Sequence, residues 1–253
     1  MSMKLLGASA QNTFYLQIIT TLLTVIGFWY FEFTIWSVLT IILACFLYSG
    51  IGISMTFHRH YTHRSFEFKN DILKWTCTWL GLMAGRGSVI GWVHIHREHH
   101  AHADTSKDPH SPKYKGWRLF FPNLIDYGTK IDRSLIRELW TKTHLYINRY
   151  YMLLILIWSI LLFSIDPWLA YFFYIVPVAT IQILHNSFIY FGHLEEEKTI
   201  PDKDDSQNQW FYGLFLWGEG WHKNHHKNPR DWNFGKEWWQ IDLTSWVIRL
   251  IKR

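Results

Sequence analysis

Two long stretches of the chain carry no lysine or arginine, residues 5–57 and 150–184. Within the first, 14–31 and 33–57 are apolar runs parted by Glu32. Within the second, 150–163 and 168–184 are parted by Ser164-Ile165-Asp166-Pro167. A hydrocarbon core asks for about 20 helical residues. The first two runs meet that length. The second two fall short, so tilt, local thinning or an aromatic cuff is expected to make up the difference. The pattern predicts an all-α membrane protein with four transmembrane helices in two hairpins. One long buried hairpin in a soluble core is the alternative, and the flanks argue against it. Every Lys and Arg falls in 1–4, 58–149 or 185–253, while the tight turns carry only Glu32 and Asp166. The positive-inside rule then puts both termini and the segments 58–149 and 185–253 on the cytoplasmic side. Those segments are expected to fold together as one helical cap, within a single domain spanning 1–253. The run 238–251, with Trp246 and the terminal Arg249, Lys252 and Arg253, reads as an interfacial amphipathic helix lying on the bilayer.

Composition agrees. Of 253 residues, 49% are hydrophobic, 19% aromatic and only 18% charged, the balance of a chain rich in interfacial rings. The net charge of +5 would suit a nucleic-acid partner, but the uncharged runs favour lipid, and no nucleic acid is expected. Cys45 and Cys77 cannot build a disulfide framework, and no Cys-x-x-Cys pair exists. A signal peptide is not expected, because only Lys4 precedes the first run and a second run follows at once.

The 15 histidines carry the chemistry. Three clusters lie in the cap: His58-Arg-His-Tyr-Thr-His63, His96-Arg-Glu-His99-His100 and His222-Lys-Asn-His225-His226. Positions i, i+3 and i+4 of a helix share a face, so each H-x-x-H-H presents three imidazoles to one point. His58 and His63, five apart, do not share a face on a regular helix; they either straddle two metals or sit at a helix end. A random chain of this composition would hold about 0.05 such H-x-x-H-H motifs, and this one holds two. The scattered His60, His94, His102, His110 and His144 read as ordinary polar residues. Neutral imidazole suits zinc, copper, nickel and iron. Eight clustered histidines exceed the four ligands of a structural zinc, which favours a catalytic dinuclear centre. The ligands lie at the cytoplasmic ends of the runs, not at mid-bilayer where a transporter or haem protein would put them.

These boxes and their flanks resemble the membrane fatty-acid desaturase family, the bacterial Δ9-type acyl desaturases in particular. The matching stretches are His58 to Phe66, Trp92 to His110, Gly218 to His226 and Trp238 to Thr244, within a likeness from about Gly50 to Arg249. The resemblance implies two irons, molecular oxygen, an external electron donor and a long acyl chain. It implies as metal ligands His58, His63, His96, His99, His100, His222, His225 and His226. The family keeps a ninth histidine four residues after an asparagine; here Asn186 matches but Tyr190 occupies the ligand position. His193 and His185 both remain candidates for it. His193 is favoured, being seven residues after Asn186 and so on its helical face, with Asn186 holding a metal-bound water. Asp104, Asp108 and Glu219 are candidates for orienting the ligand rings from behind.

The implied reaction is insertion of a cis double bond into a saturated acyl chain. Trp75, Trp79 and Trp92 are candidate lining residues for that chain. Neither a His-Pro-Gly-Gly stretch nor a cysteine cluster is present, so the expected donor is a separate cytochrome-b5-like protein or ferredoxin. A hydroxylase of fatty acid, sterol or carotenoid is the nearest alternative. A non-catalytic metal-binding membrane protein is the alternative from another class.

Overall fold

A computed structural model describes residues 7–121, 131–194 and 204–253. Lys4 and parts of the expected cap, 122–130 and 195–203, lie outside the described residues. The described chain is helical: α1 Ala10–Gly27, α2 Ile35–Thr62, α3 Asp71–Met83, α4 Val89–His102, α5 Lys142–Ile165, α6 Pro167–Phe191, α7 Trp210–Phe215, α8 His222–Lys227 and α9 Leu243–Ile251. Short turns at Pro112–Lys115, Gly116–Phe120 and Arg133–Leu139 complete it. Among the described residues no strand forms, only isolated bridges at Phe68–Lys252 and Asn208–Trp221.

Local chemistry sets the boundaries. Ser9, Thr34, Asn70, Ser88, Thr141 and Asp166 each cap a helix with a side-chain oxygen. Asp166 stops α5 and starts α6, with Pro167 at the first helical position, where a missing N–H costs nothing. The apolar runs underestimated the helices. α5 and α6 are 24 and 25 residues long, not 14 and 17, because their polar ends Lys142–Arg149 and His185–Phe191 stay helical. Among the described residues three helices are long and apolar enough to cross a bilayer: α2, α5 and α6. α1 stands where the run 14–31 was expected, but begins and ends four residues earlier and carries Gln11, Asn12 and Gln17.

α2 is the spine. It packs against α3, α4, α6 and α9, and its inner face joins Tyr48, Ile53 and Phe57 to Leu82, Val93, Tyr151 and Val178 in one core. The outer faces of α1, of the start of α2 and of α5 expose Leu22, Ile26, Leu39, Ile42, Leu156 and Ile160. Leucines and isoleucines displayed as a continuous girdle are stable in lipid, not in water. The protein is a membrane protein.

Gly52 sets the approach of α2 to α3. A Cβ there would lie 2.4 Å from Gly81 N and 2.5 Å from its Cα, backbone atoms that cannot swing aside. Gly52→Ala is therefore expected to cost about 1–3 kcal/mol, read as a lowered thermal midpoint in detergent.

The C-terminal run is helical only over Leu243–Ile251. Its first turn was misjudged, since Trp238 projects with 93% of its surface exposed ahead of the helix. Ile248 is fully buried while Trp246 and Leu250 face out, the two-sided pattern of an interfacial helix.

Candidate metal centre

From Phe46 to Thr62 the spine is wound with i→i+5 hydrogen bonds. Thr56 donates its hydroxyl to Ile51 O (2.7 Å), Thr62 to Phe57 O (2.8 Å), and His63 N–H to His58 O (3.1 Å). This wider winding is rare and brings residues five apart close to register. His58 and His63 therefore meet in one group, with His63 just past the helix end, and they do not straddle two groups. The second box lies on α4, whose start Ser88 caps. The third lies on α8, positioned by the turn before it. Gly218, at φ +117°, has Asp242 Oδ1 2.2 Å from where a Cβ would stand, so only glycine fits.

The ring nitrogens converge on two foci. His58, His63, His96, His100 and His225 form one group, and His99, His193, His222 and His226 the other; the ligand atoms of each group lie within 4.8 Å of one another. The groups adjoin, the His100 and His226 rings being 4.4 Å apart at their centroids. Nε2 of His225 lies 3.0 Å from Nε2 of both His58 and His100, and His193 Nε2 lies 2.7 Å from His222 Nε2. Ligands bound at metal–nitrogen lengths of about 2.1 Å stand roughly 3.0–3.4 Å from their neighbours, so the two 3.0 Å spacings match the edge of a coordination shell and the His193–His222 pair is a little closer.

The outer nitrogens say which way the lone pairs point. His58 Nδ1–H donates to Glu219 Oε2 (2.5 Å), His99 to Asp108 Oδ1 (2.9 Å), His193 to Asp104 Oδ2 (3.0 Å) and His226 to Asp204 Oδ2 (2.9 Å). A neutral imidazole with its proton on Nδ1 has a lone pair on Nε2. His99 and His226 thus aim two lone pairs at each other across 3.3 Å, an arrangement that repels unless a cation lies between. The buried His63 Nε2 has no hydrogen-bond partner, which also fits a metal ligand.

Electrostatics prepare the site. Burial first, then the neighbouring rings, push His63, His96, His100, His222 and His225 well below the usual imidazole range, so they are neutral and able to bind a cation. Burial also lowers His226, to about 4, against its Asp204 partner. Burial raises Glu219 and Asp108, but the hydrogen bonds from His58 and Ser54 with the nearby Arg59 charge on one, and the hydrogen bonds from His99 and the His110 backbone N–H on the other, outweigh it and hold each below the usual carboxylate range. Both stay ionised.

Asp204 was missed. It sits in the polar stretch Pro201-Asp-Lys-Asp-Asp-Ser206, which has no periodicity to single it out. Arg59 was missed too. It is fully buried, donates to Asp242 Oδ2 (2.9 Å) and to Ser54 Oγ, and lies 3.5 Å from Glu219 and 3.8 Å over the Phe234 ring. Ser54 in turn donates to Glu219 Oε1 (2.5 Å).

Other expected residues have different surroundings. His185 pairs with Ser49 Oγ (2.9 Å) and belongs to neither group. Asn186, expected to hold a metal-bound water, is committed elsewhere: Oδ1 accepts from Arg86 (2.6 Å) and Nδ2 donates to Gln17 Oε1 and Phe120 O (3.2 Å each). Tyr190 stacks near Phe120. His60, His94 and His144 bond to Phe66 O, Asp132 N–H and Thr141 Oγ1.

A cavity of about 670 Å³ opens onto both groups, lined by His58, His96, His99, His193 and His222 with Ala10, Trp92, Ile95, Phe188 and Ile189. It falls within the size of small-molecule sites. Trp92 lines it. Trp75 and Trp79 do not; they pack against His144 and Trp158.

Membrane helices and two histidine groups able to hold metal, open to one cavity, are the setting, and the sequence places the chain: the fatty acid desaturase pattern matches residues 33–250, and the chain belongs to that family of oxidoreductases. Within the family it groups with Δ9-type enzymes. It is 32% identical over 237 residues to the sn-2 palmitoyl-lipid 9-desaturase of Nostoc sp. (strain 36), covering 88% of this chain and 80% of that one. It is 30% identical to Delta-9 acyl-lipid desaturase 1 of Arabidopsis thaliana (88% and 74% covered) and 31% identical to the sn-1 stearoyl-lipid 9-desaturase of Anabaena variabilis (80% and 76% covered).

Proposed function

We propose that this fatty acid desaturase introduces a cis double bond, Δ9-like, into a saturated acyl chain of a membrane lipid, with two irons held by nine histidines. His58, His63, His96, His100 and His225 hold one; His99, His193, His222 and His226 hold the other. When bound, the irons, with O2 and two electrons from a separate donor, supply the oxidant that removes one hydrogen from each of two adjacent methylenes, which no side chain could do. The observation that carries the reading is the convergence of nine ring nitrogens, in two adjoining groups, on one cavity.

The chain's own residues bind and orient. Asp104, Asp108, Asp204 and Glu219 fix the ring tautomers and angles from behind. Trp92, Phe188 and Ile189 line the path of the chain, each buried methylene contributing about 0.8 kcal/mol without a polar handle. We further propose four membrane helices, α1, α2, α5 and α6, with the metal centre and both termini cytoplasmic. The donor is a cytochrome-b5-like protein or a ferredoxin, drawn to the basic cap.

Expression in a host unable to make unsaturated fatty acids is the direct test. Monounsaturated chains with the bond at carbon 9 are expected in the lipids. An alcohol would instead assign a hydroxylase, and a metal-loaded protein with no oxidised lipid a non-catalytic role. Glu219→Gln keeps an acceptor for His58 but removes its charge; turnover per bound metal is expected to fall about 10–100-fold, measured by the yield of unsaturated chains at equal metal content.

A further inference from the structure

The two histidine groups differ in what stands behind their rings. In the four-histidine group, three rings of four are backed by carboxylates: His99 by Asp108, His193 by Asp104 and His226 by Asp204. In the five-histidine group, among the described residues, one ring has such a partner, His58 with Glu219. Part of that charge is offset, because the fully buried guanidinium of Arg59, paired with Asp242 Oδ2 at 2.9 Å, also lies 3.5 Å from Glu219 Oε1. The remaining hydrogen bonds to Asp108 come from the backbone N–H groups of Asp104 and His110, and Asp104 accepts a further one from the Asp205 backbone N–H. These donors orient the carboxylates without cancelling a full charge.

On the reading that both groups hold iron, we propose that the sites are electrostatically unequal and that the four-histidine group is built to carry the higher oxidation state, with Asp104, Asp108 and Asp204 as positioning residues that set its potential through His193, His99 and His226. Negative charge one hydrogen bond beyond an imidazole raises the basicity of the ligand and stabilises the more positive ion. Three such charges stand around one focus. Around the other, a single carboxylate faces an arginine. Burial makes the difference count, since charges out of water are screened little. The consequence is an order of events: the first electron withdrawn from the doubly ferrous protein leaves the four-histidine site, and the five-histidine site remains ferrous until the second is removed.

The test uses the full-length protein in lipid nanodiscs, loaded with 57Fe(II) and assayed for two irons per chain. It is titrated without oxygen by ferricyanide, each equivalent taking one electron and becoming ferrocyanide, while Mössbauer spectra follow ferrous and ferric signals. Two separated one-electron couples are expected. Asp204→Asn and Asp104→Asn retain an acceptor oxygen for the ring N–H but remove the charge. Each is expected to move the lower-potential couple upward and leave the other in place, whereas Glu219→Gln moves only the higher one. A structural role alone would lower iron content and leave both couples where they are. That result overturns the proposal, as does a single unresolved couple in the unmodified protein or an equal movement of both couples. Fewer than two irons per chain overturns the metal-holding reading, and the inequality falls with it.

Discussion

His225→Ala is expected to end desaturation and to release metal from the five-histidine group. Its Nε2 stands 3.0 Å from those of His58 on α2 and His100 on α4, so this one ring joins three elements far apart in sequence. The helix offers no substitute: the neighbouring His226 already turns to the other group, with its outer nitrogen held by Asp204. Loss of a residue behind a ligand costs about 10–100-fold, and loss of the ligand itself is expected to cost more, with turnover falling beyond about 100-fold. Iron per chain should drop in the same samples. Turnover and iron content equal to those of the parent protein would remove His225 from the centre. His99→Ala is expected to do the same to the four-histidine group.

The largest effect on stability is expected at Arg59. Its side chain is 0% exposed and is held by Asp242, Ser54, Glu219 and the face of Phe234. Arg59→Met would leave the carboxylates of Asp242 and Glu219 buried without their cation. Breaking a buried pair from one side costs about 3–5 kcal/mol, far more than the pair itself contributes. Asp242 also caps α9 by accepting from Ser245 N–H (3.0 Å) and accepts from Phe234 N–H (2.9 Å), so the damage should spread through the C-terminal segment. Thermal unfolding in detergent, with and without added metal, measures it. Replacement of both Arg59 and Asp242 by apolar residues should recover part of the loss, because the uncompensated charge is then removed.

Residue type was what made the centre legible in the sequence. Imidazoles at i, i+3 and i+4 have few structural explanations, and the rings of all eight box histidines and of His193 do converge. Unbroken apolar runs likewise announced the long helices. They did not fix the helix ends, because polar residues such as Lys142 and Asn186 continue a helix once its apolar face is buried. Partners from loops were hidden for a different reason. Asp204 and Asp242 carry no spacing rule, and their roles arise only when distant segments fold together. Nothing in the sequence singles out Arg59, whose neighbours in the chain are polar; its burial comes from α2 turning that face toward Phe234 and Asp242. Trp75 and Trp79 are aromatic residues of the kind that could line an acyl chain, yet α3 faces them toward His144 and Trp158.

The unbroken spine has one more consequence. From Ile35 to His58 the backbone is one continuous helix, α-wound to Cys45 and wound i→i+5 from Phe46, so the separation of the histidine foci from its start is a count of residues. Each adds about 1.5 Å where the winding is α-helical and less where it is wider, a step of the order of one carbon along an extended hydrocarbon. The protein carries a built-in ruler. Adding or deleting one residue in α2 would slide the chemistry along the acyl chain and turn it away at the same time, whereas lengthening the loops would leave the measure unchanged.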